Sequence, residues 1–116
     1  MPLDAFLQQL RHNPEQLEFD TTMAVIEALY DFTPVAFQNG ALVNAPGQNS
    51  GSCKLFAFAQ LQKLTVEETL ACFGRYYRED VLQHPDAGSH QNIRNFMESH
   101  WAGIDFAGCA LTPKTR

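Results

Sequence analysis

The chain has 116 residues, of which 45% are hydrophobic, and its formal net charge is −5. This length and apolar content are enough for one folded domain and exclude an intrinsically disordered chain. The negative charge excludes the basic surface that nucleic-acid binding requires.

Localisation signals of the usual kinds are missing from the sequence. The N-terminus has no basic region followed by an apolar stretch, and no apolar run is long enough to cross a bilayer. The three cysteines, Cys53, Cys72 and Cys109, have no metal-type spacing and predict reduced thiols. We therefore expect a cytoplasmic protein whose partners include neither nucleic acid nor membrane.

Two helices are predicted before residue 35. The first carries one apolar stripe and ends at Pro14. The second is capped by Asp20 or Thr21 and ends at Pro34, because the residue before a proline avoids the α region. The inward residues are Leu3, Phe6, Leu7 and Leu10 in the first helix, and Met23, Ile26, Leu29 and Tyr30 in the second.

A β-hairpin is predicted over residues 35–44. Asn39-Gly40 is a preferred pair for a type I′ turn, which would place Phe37 opposite Leu42 and Val35 opposite Asn44. Asn44 then ends an apolar face, and its amide is expected to hydrogen-bond the loop that follows.

Three more helices follow the hairpin. Ser52 is the predicted cap of the third, and Thr65 begins a capping-box pattern for the fourth, which would run to about His84 with Gly74 allowing a close neighbour. Ser89 is the predicted cap of the fifth. The inward residues of the fifth helix are Ile93, Phe96, Met97 and Trp101.

These elements predict an α+β fold with about five helices packed on a small antiparallel sheet. The sheet combines hairpin 35–44 with a strand near 103–107. The prediction is a single compact domain over residues 1–111 and a flexible tail over 112–116.

The strongest candidate site is the polar loop over residues 44–54. Free N–H groups at a helix start, together with serine, amide and lysine side chains, suit a phosphate or carboxylate. The same pattern also fits an ordinary helix start with a solvent-facing lysine. The candidate ligand-binding residues in this loop are Gln48, Asn49, Ser50, Ser52 and Lys54.

Arg75, Arg78 and Arg94 are added to this candidate site, because arginine forks recognise carboxylates and phosphates. An alternative is that these arginines pair with acids of the first two helices. Up to Asp31 the chain has six acidic side chains and only one basic one, Arg11.

Two chemical alternatives stay open. Cys53 at a helix start would be a nucleophile if its thiolate were favoured and His90 or His84 served as base, although a small buried cysteine against the sheet is the more common situation. His84, Asp86 and His90, with His100 further along, would form a cation site unless they are exposed turn residues. No metal or cofactor is predicted.

Several motifs occur in order along nearly the whole chain. They are Phe32-Thr33-Pro34, Phe37-Gln38-Asn39-Gly40, Asn44 to Ser52, Cys72-Phe73-Gly74-Arg75-Tyr76-Tyr77-Arg78 and Asn92-Ile93-Arg94-Asn95-Phe96. Through them the chain resembles the HopJ type III effector protein family from about Leu3 to Leu111. The resemblance implies a bacterial cytoplasmic protein, with delivery into a host cell by a type III system as a further route. It implies no catalytic residue, substrate or cofactor.

The sequence thus predicts a small non-enzymatic binding protein that recognises a polar or anionic group. Its partner is a small ligand of that kind, or a host or bacterial protein. The alternative is a cysteine-dependent hydrolase or transferase that uses Cys53. The oligomeric state is not predicted.

Overall fold

A central helix, α3 (Ser50–Leu61), is surrounded by the other described elements. The structure is a computed structural model and describes residues 2–114. Leu55, Phe56, Phe58 and Ala59 on α3 are fully buried, so the helix has apolar side chains on nearly every face. A helix with this pattern must be packed against other elements on most of its faces.

The described residues form five α-helices and five short strands. The helices are α1 (Leu3–His12), α2 (Phe19–Leu29), α3 (Ser50–Leu61), α4 (Val66–Ala71) and α5 (Gln91–Ser99). The strands are β1 (Tyr30–Phe32), β2 (Phe37–Asn39), β3 (Leu42–Asn44), β4 (Ile104–Phe106) and β5 (Leu111–Pro113). Short 3₁₀ turns cover Pro14–Gln16 and His100–Gly103, and a π-helical segment covers Tyr76–Val81. The fold is α+β, as predicted.

Strand β2 lies at the centre of a three-stranded antiparallel sheet, between β3 and β4. The predicted hairpin and the predicted strand near 103–107 are therefore confirmed, but the predicted turn is wrong. Asn39 pairs with Leu42 and Phe37 with Asn44, so the two turn residues are Gly40 and Ala41. Gly40 has φ +61° and Ala41 has no positive φ, which excludes a type I′ turn. Asn39 becomes a fully buried strand residue.

The predicted single sheet is accompanied by a second, two-stranded sheet. Strand β1 pairs with β5, with Tyr30 opposite Pro113 and Asp31 opposite Thr112. Tyr30 therefore belongs to a strand rather than to α2. Residues 112 and 113 extend β5, so the predicted flexible tail does not begin at 112. Residues 115 and 116 of that tail lie outside the described residues.

Three predicted helix caps are wrong, because each of these helices begins at a residue other than the one predicted. Helix α2 begins at Phe19, after Glu18. Helix α3 begins at Ser50 and α5 at Gln91, after Asn49 (φ +53°) and His90 (φ +53°). In both cases a residue in the left-handed region turns the chain into the helix, and no side chain caps it.

The predicted fourth helix is split at Gly74. Its capping box is confirmed: the Thr65 hydroxyl accepts from Glu68 N–H at 3.1 Å, and the Glu68 carboxylate accepts from Thr65 N–H at 2.9 Å. Gly74, however, has φ +62°, and a β-carbon there would lie 2.7 Å from the Phe19 nitrogen. The close neighbour predicted for Gly74 is thus the chain entering α2, and the positive φ ends the helix.

Beyond Gly74 the chain continues as the π-helical segment. Leu82 N–H donates to the Tyr77 carbonyl five residues earlier, at 3.0 Å. This wider turn carries Tyr76 and Asp80 to the side of the molecule where α3 and α5 begin.

Candidate functional site

The first turns of α3 and α5 face one cavity of about 490 Å³, which we call the α3–α5 cavity. Its volume falls within the range of small-molecule sites, roughly 300–1,000 Å³. The polar residues that line it are Asn49, Gly51, Ser52, His90, Gln91 and Asn92; the apolar and aromatic ones are Phe19, Leu42, Phe73, Tyr76 and Ile93.

The polar side of the cavity is built from two helix starts. Gly51 and Ser52 lie in the first turn of α3, and Gln91, Asn92 and Ile93 form the first turn of α5. The N–H groups of a first turn have no acceptor within their own helix, and both helices lack a side-chain cap. Two positive dipole ends therefore meet at one cavity, an arrangement that favours an anion.

A cluster of four asparagines, in which Asn39, Asn44 and Asn92 are buried and Asn49 is exposed, holds the two helix starts to the sheet. The Asn44 and Asn92 amides each donate to the other, at 3.2 and 3.1 Å, and Asn49 donates to the Asn44 carbonyl oxygen at 2.7 Å. Asn39 donates to the backbone and side-chain oxygens of Asn92 at 2.8 and 3.0 Å. The expected bond from Asn44 to the following loop is thus present, and the network extends to Asn92 of α5, a contact that was not predicted.

His90 forms part of the cavity wall and is fixed by the π-helical segment. Its Nε2 lies 3.0 Å from Asp80 Oδ2, and its ring packs against the Tyr76 ring with 5.2 Å between centroids. Tyr76 also contacts the Phe19 ring edge-to-face, at 5.4 Å. Phe19, Tyr76 and His90 therefore form a row of rings along one wall.

The residues predicted from the polar loop are distributed differently. Asn49 and Ser52 line the cavity. Gln48 accepts from Ala45 N–H at 2.9 Å and Ser50 donates to the Gly47 carbonyl at 3.3 Å, which are bonds that shape the loop itself. Lys54 lies 3.7 Å from Glu27 and packs over the Phe32 ring. Its ammonium group is therefore held there and does not line the α3–α5 cavity.

The three predicted arginines are bound to other parts of the chain. Arg75 and Arg78 both donate to the Glu18 carboxylate, at 2.6 and 2.7 Å, and Arg78 also donates to the Leu17 carbonyl at 2.7 Å. The alternative interpretation is that the arginines pair with acids of the first two helices; Arg75 and Arg78 do pair with an acid, Glu18, which immediately precedes α2. They also hold the pKa of Glu18 below its ordinary value, chiefly through the bonds from Arg75 and then Arg78.

Arg94 has a structural role as well. Its guanidinium donates to the backbone carbonyls of Ser89, Pro85 and Asp80. It thereby ties the loop before α5 to the π-helical segment, and it supports the position of His90 without lining the cavity.

Cys53 does not have the environment of a nucleophile. Its side chain is 2% exposed, its sulfur faces the Val35 carbonyl at 3.9 Å, and burial raises its pKa. Loss of hydration therefore disfavours the thiolate that the nucleophile alternative requires. Cys53 is the small buried cysteine of the structural alternative.

The three residues of the alternative cation site are not brought together. His90 is bound to Asp80 rather than to Asp86. Within residues 2–114, no group of three or more His, Cys, Asp or Glu side chains is arranged to hold a metal ion.

The chain matches the HopJ type III effector protein family over residues 3–111. It belongs to that family. The motif that encloses Gly74 and the motif that begins at Asn92 supply Phe73, Tyr76, Asn92 and Ile93 to the cavity.

A solved relative of this HopJ chain has the same fold. The chain is 60% identical to the protein of unknown function VPA0580 and superposes on its crystal structure with a TM-score of 0.96, over 98% of this chain and 95% of that one. A search of curated proteins found no significant match. Within the described residues of the HopJ chain, no helix is long and apolar enough to cross a membrane.

Seven cavity residues lie outside the sites predicted from the sequence: Phe19, Leu42, Phe73, Tyr76, Gln91, Asn92 and Ile93. Tyr76 lies in a segment where the charged side chains of Arg75 and Arg78 are the predicted ligand-binding groups. Asn92 lies in the motif Asn92-Ile93-Arg94-Asn95, whose only apolar residue is Ile93, so no local feature of the sequence indicates that this asparagine is buried.

Proposed function

We propose that this HopJ protein is a non-enzymatic binding protein that holds a small anionic group in the α3–α5 cavity. The observation that carries the proposal is the convergence of two uncapped helix starts, those of α3 and α5, on one cavity. Backbone N–H groups in this arrangement bind phosphate or carboxylate without needing a basic side chain.

The distribution of charge supports backbone recognition rather than recognition by arginine. The guanidinium groups of Arg75 and Arg78 are occupied by Glu18, and Arg94 is occupied by carbonyl groups. Since the chain carries a net charge of −5, we expect weak binding, with a dissociation constant of about 1 mM for a simple anion.

The test is a titration with inorganic phosphate, followed by amide NMR. The amides of Gly51, Ser52, Asn92 and Ile93 should shift with one saturable isotherm. The start of α4 is an internal control, because the Thr65 capping box already occupies Glu68 N–H and that amide should not move. Flat spectra at the four cavity amides would refute the proposal.

A pair of charge variants tests whether the anion binds in the α3–α5 cavity. Ser52→Asp introduces a carboxylate at the cavity wall, and Ser50→Asp introduces the same charge in the same helical turn outside the lining. Both acids favour the start of α3, so both variants should fold. Ser52→Asp should weaken phosphate binding about tenfold and Ser50→Asp less than about threefold. Equal losses would indicate a general charge effect and would contradict the proposed site.

Family membership supports a proposal about location. We propose that the protein is made in the bacterial cytoplasm and delivered into host cells by type III secretion. A translocation reporter fused to the C-terminus should give a host-cell signal that disappears in a strain without a functional type III system. A signal that persists in that strain would contradict the proposed route.

A further inference from the structure

The α3–α5 cavity has an aromatic wall that a simple anion would leave unused. Phe19, Phe73 and Tyr76 lie along this wall, beside the polar helix starts. A cavity of about 490 Å³ holds far more than a single phosphate or carboxylate group. The wall therefore indicates a second part of the ligand.

Tyr76 is the exposed member of this wall. It is 37% exposed although it contacts the Phe19 ring on one side and the His90 ring on the other, at 5.4 and 5.2 Å. Large aromatic side chains that stay exposed beside a cavity are characteristic of binding sites, because a ring buries much area and loses little conformational freedom.

The ring row is held by several non-local contacts. Phe19 stacks on the buried Phe73 with 6.2 Å between centroids and 10° between planes. At the other end of the row, His90 is held by Asp80, which lies four residues after Tyr76 on the same π-helical segment. Isolated π-helical turns often occur at functional sites, where they place side chains that an α-helix would direct elsewhere. Tyr76 is thus positioned before any ligand arrives.

We propose that the natural ligand of the α3–α5 cavity is an anion joined to an aromatic ring, with the anionic group at the two helix starts and the ring against Tyr76. This inference rests on the proposed function and adds the chemical class of the ligand. The ring replaces water over the exposed part of Tyr76, while the anionic group meets the N–H groups of Ser52 and Asn92.

Three phosphate compounds separate the two parts of the ligand: inorganic phosphate, cyclohexyl phosphate and phenyl phosphate. Phenyl phosphate should bind at least about fivefold more tightly than inorganic phosphate, as expected for one added aromatic contact. Cyclohexyl phosphate, which has similar apolar bulk and no π-system, should fall between them. Equal affinity for phenyl and cyclohexyl phosphate would overturn the aromatic assignment.

Two variants at Tyr76 test whether this side chain contacts the aromatic ring of the ligand. Tyr76→Leu should remove the preference for phenyl phosphate over inorganic phosphate, whereas Tyr76→Phe should keep the preference. Loss of the preference in Tyr76→Phe would assign it to the phenol hydroxyl and overturn the inference. Amide spectra of both variants verify that the fold is intact.

The outcomes for the inference and for the proposed function differ. If inorganic phosphate binds and phenyl phosphate binds no better, the aromatic class is wrong and the anion site stands. If phenyl phosphate binds through Tyr76 and is insensitive to Ser52→Asp, the anion site is wrong. Tighter binding of phenyl phosphate that is weakened by both Ser52→Asp and Tyr76→Leu supports both.

Discussion

Asn44 at the end of β3 and Asn92 in the first turn of α5 exchange two side-chain hydrogen bonds, across 48 residues of sequence. Both side chains are at least nine-tenths buried. The pair fixes the start of α5 against the sheet and therefore sets one side of the α3–α5 cavity. Because the cluster is buried, each amide that loses its partner is left without water to replace it.

Asn92→Ala should lower the free energy of unfolding by about 2–3 kcal/mol, because it removes three buried side-chain hydrogen bonds, one to Asn39 and two to Asn44. Urea unfolding measures the change. The neighbouring exposed Gln91→Ala, which loses a single bond to the Gly88 carbonyl, is the matched control and should cost less than about 1 kcal/mol. Equal costs for the two variants would mean that the asparagine cluster does not stabilise the fold.

The Asn44–Asn92 pair should also show energetic coupling. We expect this coupling in a double-mutant cycle with Asn44→Ala and Asn92→Ala. The double variant should lose less free energy of unfolding than the sum of the two single losses, by about 1 kcal/mol or more. Additive losses would indicate that each amide acts through its other partners only.

Gly74→Ala should be strongly destabilising. The position has φ +62°, and a β-carbon would lie 2.7 Å from the Phe19 nitrogen and 2.8 Å from the Glu18 α-carbon. We expect a loss of at least about 2 kcal/mol from the positive φ and the backbone clash together. Urea unfolding again provides the measurement.

Two other glycines separate the two causes of the Gly74 effect. Gly47 has φ +83°, and no heavy atom of a non-adjacent residue lies within 4 Å of the position that a β-carbon would take. Gly47→Ala should therefore lower the free energy of unfolding only through the positive φ, by about 1 kcal/mol. Gly88→Ala has neither a positive φ nor a close neighbour and should be nearly neutral. A Gly74→Ala loss no larger than that of Gly47→Ala would contradict the predicted clash.

The stability of the protein should depend on Glu18 in acid. Arg75 and Arg78 lower the pKa of Glu18 in the folded protein below its ordinary value of 4.5. A lowered folded pKa stabilises the protein above the ordinary value, and this stabilisation is lost as the pH falls through the lowered pKa. Urea midpoints of Glu18→Gln should be lower than those of the wild type at neutral pH, and the two should converge in acid. A difference that is constant with pH would refute the role of the Glu18 charge.

The three thiols should react in an order set by burial. Cys109 is exposed, whereas burial raises the pKa of Cys53 and raises that of Cys72 to about 12. A thiol reagent should therefore modify Cys109 first in the native protein, and Cys53 and Cys72 only on unfolding. Mass spectrometry of labelled peptides reports the order. Labelling of native Cys53 as fast as Cys109 would contradict its buried environment, and Cys109→Ser provides the background for that measurement.

Local features of the sequence determined the parts of the fold that depend on near neighbours. The capping box at Thr65 and Glu68 spans three residues, and the apolar stripe of α1 repeats within one helix, so both were predictable. The α+β class followed from the same short-range patterns. The alternation over residues 103–107 likewise predicted β4, because side chains of a strand alternate between two faces.

Turn geometry and helix starts were less predictable, because several local solutions compete. Asn39-Gly40 suits a type I′ turn, yet burial of Asn39 against Asn92 moves the turn by one residue to Gly40 and Ala41. Similarly, Ser52 and Ser89 suit helix caps, but the chain enters α3 and α5 through Asn49 and His90. In each case a tertiary contact or a backbone conformation outweighs the local preference.

The sequence by itself determined an α+β fold and placed a polar stretch before α3, and it predicted an anion as the ligand to test. Only the tertiary structure decided which residues share the cavity, because α3 and α5 begin some 40 residues apart and the asparagine cluster joins them. It also paired Arg75 and Arg78 with Glu18, buried Cys53 and brought Tyr76 to the cavity wall. These outcomes depend on packing between distant segments, which periodicity and residue type along one segment do not encode.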